Sequence, residues 1–450
     1  MEQKRSSFSG KLGFILSAAG SAVGLGNIWR FPYLAAQYGG GIFLLVYIIL
    51  AVTFGFTLMT AEIAIGRKTG VSAVGAFGAL SKKFAFLGYL ASIVPVLILP
   101  YYCVIGGWIT KYLFTFTIGG GSNSAADGYF DSFTSQTGEP LLWFLIFIAL
   151  TAIVVMLGVE KGVEKVSKFM MPVLVILTVF IAVYTLFMPG AAEGLVYYLK
   201  PDFSKLSFTT VLAAMSQLFF SMSLAMGIMI TYGSYMKRDV NIESSVRHIE
   251  IFDTGIAFFA GLMIIPAVFA FPGGEEGLTK GFSLMFETLP KVFDSMPGGG
   301  VIGAVFFLLV LFAALTSSIS VMETVVSILM DKLKLKRITA SIIVFAFAII
   351  VGVAVSLGNG IWSNVKIFGM SLLGFFDFIT SSVIMPIVAL ITCILIGYVV
   401  KPQTVIDEVE RTGKFKGKKL FTVVIKYIAP ICIVAILVFS VMEAFGFIIV

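Results

Sequence analysis

Four acidic side chains lie in otherwise apolar stretches of the chain: Glu62, Asp253, Glu323 and Asp377. An acid in such a setting is costly and usually functional. Acid–base or nucleophilic catalysis would need a matched partner set. Glu62, Asp253 and Glu323 lack one, because His248 is the only histidine. The three cysteines, Cys103, Cys393 and Cys432, fall in apolar runs and give no disulfide framework. The sequence therefore reads as a protein that is not an enzyme. A second feature points to binding chemistry. The stretch "AAGSAVGLGNIWRFPYL" (18–34) starts as an apolar helix and then places Gly24, Gly26, Asn27, Arg30 and Pro32 in or just past the run. A helix interrupted there frees backbone N–H groups that attract an anion and C=O groups that attract a cation. Together they suit a zwitterion and hard cations. The same glycines also suit close helix packing.

The elements that must carry these groups follow from composition. The 450 residues are 59% hydrophobic and 12% charged, with a mean hydropathy of +1.04. Soluble domains carry about 25% charged residues, so the reading is an all-α polytopic membrane protein. Eleven apolar spans are expected, at 12–36, 41–66, 86–117, 140–158, 166–189, 209–236, 247–272, 300–330, 338–356, 367–399 and 420–449. The first is too long and too irregular for a cleaved signal peptide and is read as retained. The net charge of +7 is unevenly placed. Arg67, Lys68, Lys82 and Lys83, then Lys332, Lys334, Lys336 and Arg337, then Lys414, Lys416, Lys418 and Lys419 fall on one side, while 118–140 holds no Lys or Arg. The positive-inside rule puts the basic side and the N-terminus in the cytoplasm and the C-terminus outside. The basic loops need no nucleic-acid partner.

No domain boundary shows, so 1–450 is read as one transmembrane unit. The longest polar stretches are 118–139, 273–299 and 401–419. The sixth span carries "SQLFFSMSLAMGIM" (216–229), a second irregular run five spans after the first. Five is odd, so a block at 209–399 enters opposite to the block at 12–189, with 420–449 as an extra helix. Two inverted five-helix repeats with interrupted helices 1 and 6 indicate a secondary transporter with its site near the midplane.

"GSAVGLGNIWRFPYLAAQYGGGIF" (20–43), "SQLFFSMSLAMGIMITYGSY" (216–235) and "FAALTSSISVMETVVSILMDKLKL" (312–335) resemble the first, sixth and eighth helices of the neurotransmitter:sodium symporters, over essentially the whole chain. Eleven spans with short termini resemble the prokaryotic branch, which implies a bacterial inner (plasma) membrane. The resemblance implies two sodium ions. The first would use the Ala22 carbonyl, Asn27, Ser221 and Asp253, with the substrate carboxylate. The second would use carbonyls of Gly20, Val23 and Ala313 with the hydroxyls of Thr316 and Ser317. Hydroxyls in "LTSS" otherwise bond back to the preceding turn, which fits Ser318 and Ser320 equally well. The substrate carboxylate would meet the N–H groups of Leu25 and Gly26 and the Tyr102 hydroxyl. Its ammonium would meet carbonyls near Ala22, Phe220 and Ser221, beside Ser223. Ile98, Ile105, Phe220, Met226, Ser318 and Val321 would line the side-chain pocket.

Monoamine relatives carry Asp where this chain has Gly24, so the resemblance implies an amino acid, hydrophobic or aromatic. The function expected is sodium-coupled uptake by alternating access. A sodium-dependent sensor of the same fold, or transport of another small amino acid, remains open. Many relatives have Asn at 253, and chloride-dependent ones a Ser where this chain has Ala257. Asp253 is therefore expected to replace chloride's charge; an acid paired with a surface cation is the alternative. Arg30 and Asp377 match the family's outer gate pair, and Arg5 and Asp331 the inner one, with static structural pairs as the alternative. Glu62 is expected to brace the unwound sixth helix. Tyr38 and Ala225 depart from the usual Asn and Gly. The partners implied are an amino acid, sodium and the lipid bilayer; the sequence assigns no oligomeric state.

Overall fold

The computed structural model describes residues 6–271 and 282–444, the last two by backbone alone. Arg5, residues 272–281 of the expected seventh span and outer stretch, and 445–449 of the last span lie outside the described residues. Among the described residues regular structure is helical, apart from isolated β-bridges between Gly40 and Pro201 and between Ile367 and Met370.

In chain order, α1 (Lys11–Ala22) and α2 (Gly26–Gln37) form one apolar pair bent by 52°. Long apolar helices follow: α3 (Gly41–Thr69), α4 (Lys82–Thr117), α5 (Gly138–Met156) and α6 (Val159–Leu186). Two short helices come next, α7 (Phe208–Ser221) and α8 (Ile228–Tyr235). Further on are α9 (Ile242–Phe269), α10 (Gly299–Leu333), α11 (Arg337–Leu357), α12 (Leu372–Val399), the short α13 (Gln403–Glu410), and α14 (Lys418–Met442); other short helices, among them Ala73–Leu80, Ala191–Leu199 and Leu289–Ser295, lie in the connections. Nine of these helices are long and apolar enough to cross a bilayer, and the bent pair makes ten. The eleven-span expectation counts α7 and α8 as one more. At 14 and 8 residues, neither reaches the roughly 20 residues that a crossing takes.

Polarity divides these helices by position. On α11, Ile338, Ile342, Ile343, Phe347 and Ile350 are exposed. An apolar face of that kind is stable against lipid and not against water. From Ala313 to Ile328 every residue of α10 is buried. That stretch nevertheless holds Thr316, Ser317, Ser318, Ser320, Glu323, Thr324 and Ser327. Buried polar groups must find hydrogen bonds, so α10 is the interior wall on which a polar site can be built.

The helices meet closely where side chains are smallest. A methyl on Gly66 of α3 would stand 1.9 Å from the Ile230 carbonyl of α8, and one on Gly233 of α8 would stand 2.4 Å from the Ile63 carbonyl. These reciprocal contacts leave no room for any other residue and hold α8 in place although it is too short to anchor itself.

At the end of α3 the chain makes a buried ion pair. Arg67 donates from Nε to Glu408 Oε1 on α13 at 2.8 Å, from Nη1 to the Val240 carbonyl at 2.6 Å, and from Nη2 to the Glu408 carbonyl. Glu408 also pairs with Arg411 at 3.1 Å. Nearby, Glu243 of α9 accepts from the N–H groups of Lys416 and Gly417 at 2.9 and 3.1 Å. The polar connection between α12 and α14 is thereby strapped to α3 and α9. On the opposite side, Lys291 meets Asp127 at 2.5 Å, and that bond holds the exposed Asp127 carboxyl below the usual carboxylate range.

Removing one partner of a buried pair strands the other and costs about 3 kcal/mol or more. Arg67→Met should therefore lower the thermal unfolding midpoint in detergent clearly. Glu408→Gln, which keeps an oxygen for Arg67, should lower it less.

Candidate functional site

The site begins where two helices fail. Helix α1 stops at Ala22 because Val23 is extended, at φ −73° and ψ 101°. The groups freed there are taken up locally. Asn27 Oδ1 accepts the Gly24 N–H at 3.0 Å, and Gln217 Nε2 donates to the Gly26 carbonyl at 2.8 Å. Between α7 and α8, Ser223, Ala225 and Gly227 have φ values of 52°, 60° and 71°. Left-handed backbone at two residues with a Cβ is strained and persists only where its surroundings impose it. Two contacts do so. The Ala225 N–H donates to Glu62 Oε1 at 2.7 Å, and the Ser223 hydroxyl donates to the Ser21 carbonyl at 3.0 Å. The brace expected from Glu62 is thus a direct bond to the unwound backbone.

Asn27, Ser221 and Asp253 come together, each no more than 1% exposed. Asn27 Nδ2 donates to Asp253 Oδ1 at 2.8 Å and faces Ser221 Oγ at 3.0 Å. The Ser221 hydroxyl donates to Asp253 Oδ1 at 2.7 Å. Tyr47 of α3 supplies a third donor, 3.1 Å from Asp253 Oδ2. Three hydrogen bonds replace the water this carboxylate has lost. None is an ion pair, so the expectation's alternative, a surface cation, is not what Asp253 touches.

On the other side of the break, Ser317 Oγ faces the carbonyls of Gly20, Ser21 and Val23 at 3.4, 3.2 and 3.3 Å. Thr316 abuts Gly20, and its hydroxyl donates to Phe312 and Ala313 carbonyls at 2.9 and 3.1 Å. Gly20, Val23, Ala313, Thr316 and Ser317 thus form one cluster of neutral oxygens, the donor type that suits a hard monovalent cation.

A cavity of about 30 Å³ lies between the two clusters. Its walls include Ala22, Leu25 and Gly26 from the first break, Ile98 and Tyr102 from α4, Phe220, Ser221, Ser223 and Met226 from the second break, and Val321 from α10. Ser21, Gly24 and Ser317 also line it. Two expected residues do not. The α4 wall ends at Tyr102, one turn before Ile105, which is buried elsewhere. Ser318 turns away: its hydroxyl pairs with Thr151 of α5 at 2.8 Å and with the Leu315 carbonyl at 3.0 Å. The Leu25 N–H points at the Tyr102 hydroxyl oxygen at 3.4 Å, so donors converge on one end of the cavity while Ile98, Met226 and Val321 leave the other end apolar.

The gate residues stand apart. Arg30 lies 5.3 Å over the Phe220 ring and 3.3 Å from Ser216 Oγ. Asp377 accepts from Tyr101 at 3.3 Å and Ser381 at 3.0 Å. Among the described residues no ion pair joins Arg30 to Asp377. Asp331 accepts the Ser72 N–H at 2.7 Å, and its expected partner Arg5 lies outside the described residues. Glu323, given no role from sequence, is held by Arg337 at 2.6 and 2.9 Å and by the Tyr235 hydroxyl at 2.8 Å. Sequence reasoning also missed Tyr47 and Gln217. Gln217 was visible as a lone amide in an apolar helix. Tyr47, inside "FLLVYIIL", carries no signal that separates it from packing.

A bundle whose two broken helices enclose a buried polar site defines a membrane transporter rather than an enzyme. The chain belongs to the sodium:neurotransmitter symporter family, whose model matches residues 5–119 and 130–446. It is 34% identical to the uncharacterized sodium-dependent transporter YhdH of Bacillus subtilis over 97% of both chains. An uncharacterized sodium-dependent transporter of Haemophilus influenzae is 31% identical, over 97% of this chain and 98% of that one. The crystal structure of MhsT in complex with L-phenylalanine superposes with a TM-score of 0.88 at 38% identity, over 97% of this chain and 100% of that one.

Gly24 is a sensitive point of this geometry. A methyl there would lie 2.6 Å from Ser317 Oγ and 3.1 Å from the Tyr102 hydroxyl. Overpacking of this kind costs about 1–3 kcal/mol. Gly24→Ala should therefore lower the thermal unfolding midpoint clearly while the protein stays monodisperse in detergent.

Proposed function

We propose that the chain carries a hydrophobic or aromatic L-amino acid into the cell together with sodium, without chloride. The observation that carries this reading is the cavity itself. It joins the N–H groups of the first break to an apolar end, with Asp253 buried beside it. The substrate carboxylate sits against Leu25, Gly26 and Tyr102. Its ammonium sits against the carbonyls around Ala22, Phe220 and Ser221. Gly24 brings no acid of its own, so a substrate that lacks a carboxylate leaves those donors unanswered. MhsT, whose crystal structure is a complex with L-phenylalanine, supports the hydrophobic side-chain assignment.

Two sodium ions fit the two oxygen clusters. One is held by Ala22, Asn27, Ser221 and Asp253, with the Asn27 amide turned to present its oxygen. The other is held by Gly20, Val23, Ala313, Thr316 and Ser317. The charge of Asp253 stands where a chloride would otherwise be needed. Phe220 and Met226 line the cavity, and Met226 adapts its shape to the substrate at low cost. Arg30 and Asp377 close over it from outside, and Asp331 with Arg5 closes the inner side. The membrane is the bacterial inner membrane, with the N-terminus in the cytoplasm. Each net charge moved across 100 mV contributes about 2.3 kcal/mol to accumulation.

Uptake of labelled L-phenylalanine into proteoliposomes, with an inward sodium gradient in chloride-free buffer, tests this directly. Accumulation that collapses when potassium replaces sodium is the expected result. Uptake that appears only after chloride is added overturns the role given to Asp253. Sodium-dependent binding without accumulation overturns transport in favour of a sensor.

A further inference from the structure

Among the described residues, the polar contacts of α1 gather near its two ends. Near its start, the Phe8 N–H donates to the Tyr235 carbonyl at 3.1 Å and the Ser9 N–H to Glu164 Oε2 at 2.8 Å. Lys11 reaches Ser244 at 2.8 Å. Along the helix, the buried Ser17 hydroxyl makes no hydrogen bond. Near its end four contacts converge on Ser21. The Ser21 carbonyl receives the hydroxyls of Ser223 and Ser317, at 3.0 and 3.2 Å. The Ser21 hydroxyl lies 2.7 Å from that of Ser320 on α10 and 3.4 Å from that of Ser223. Ser320 is completely buried and is itself positioned by a bond to the Ser317 carbonyl at 2.7 Å.

These contacts differ in how they respond to an ion. Ser317 belongs to the cluster read above as a sodium site, and its hydroxyl faces three carbonyls of α1. An ion that takes those carbonyls exchanges with these hydrogen bonds. The Ser21–Ser320 pair joins side chain to side chain and uses none of the oxygens assigned to the ion. It is the direct tie between the end of α1 and α10 that persists when the ion cluster is rearranged.

We infer that Ser320 is a positioning residue: through Ser21 it latches the end of α1 to α10 and keeps the cytoplasmic half of α1 closed when sodium is absent. The latch rests on the reading of Gly20, Val23 and Ser317 as a sodium site. With the ion bound, the ion and this hydroxyl pair both tie α1 to α10; without it, the weaker Ser317 hydroxyl bonds stand in for the ion and the Ser21–Ser320 pair remains. A closed sodium-free state limits the escape of substrate without its ion, so the latch serves coupling.

The test places a reporter at Ser17, which is 1% exposed here and becomes accessible only if α1 moves. Ser17→Cys is made in full-length protein with Cys103, Cys393 and Cys432 replaced by alanine. Its reaction rate with a methanethiosulfonate reagent is then read in sodium and in potassium. Ser320→Ala should raise the rate in potassium about fivefold, the worth of one neutral buried hydrogen bond, and raise it less in sodium. Ser21→Ala removes the same pair from the other side and carries the test if Ser320→Ala does not fold. The double variant should match the single variants, because one interaction is lost only once. Unchanged rates, equal rises in both media, or additive effects overturn the latch. If sodium leaves the wild-type rate unchanged, the sodium-site reading fails and the latch falls with it. If sodium protects the wild type and the variants behave identically to it, the latch alone falls.

Discussion

Two helices are broken at membrane depth, and no lipid can satisfy the backbone groups that each break releases. The rest of the molecule is arranged around that constraint. Each break supplies partners to the other: Ser223 donates to the Ser21 carbonyl, and Gln217, on the helix that leads into the second break, caps the Gly26 carbonyl. Groups that remain are taken by neighbouring helices, most directly by Glu62 on the Ala225 N–H. Close glycine packing of α3 on α8 follows from the same need, because the short half-helix has to be held by its neighbours.

The intramembrane acids solve burial in three ways. Glu62 accepts a backbone N–H that has no helical partner. Glu323 takes a guanidinium, Arg337, with Tyr235 beside it. Asp253 takes three neutral donors, Asn27, Ser221 and Tyr47. The third solution differs in consequence. A carboxylate matched by neutral donors keeps its net charge available to a cation, whereas one matched by arginine does not. That difference separates Asp253 from Glu323; Glu62 is set apart by its partner, the unwound Ala225 backbone that it holds in place.

The sequence was most legible where chemistry and pattern reinforced each other. The apolar spans and the glycine-rich break at 20–27 were readable because a bilayer punishes both polarity and helix breakers. Asn27 and Asp253 stood out as polar groups in apolar surroundings, while Ser221 and Ser317 were assigned through the family resemblance; Asn27, Ser221 and Asp253 come together, and Ser317 lies in the second cluster across the break. Ile105 and Ser318 were placed in the cavity wall because helical spacing puts them near its face. Spacing does not say where a cavity ends or whether a hydroxyl has a nearer partner, here Thr151. Tyr47 was illegible because a tyrosine in an apolar helix looks the same whether its hydroxyl packs at an interface or meets an acid. The Arg30–Asp377 pair was expected to close in one state and part in another; here the two are apart, each on other partners.

The central claim is that Asp253 is a resident negative charge for sodium. Equilibrium binding of radiolabelled sodium to the purified protein in gluconate buffer, compared with Asp253→Asn, tests it most directly. The account predicts saturable sodium binding to the wild type that added chloride does not change. It also predicts at least a roughly tenfold weaker affinity in the variant, as loss of a nearby unit charge implies. Wild-type binding that requires chloride, or a variant that binds sodium as tightly as the wild type, would contradict it.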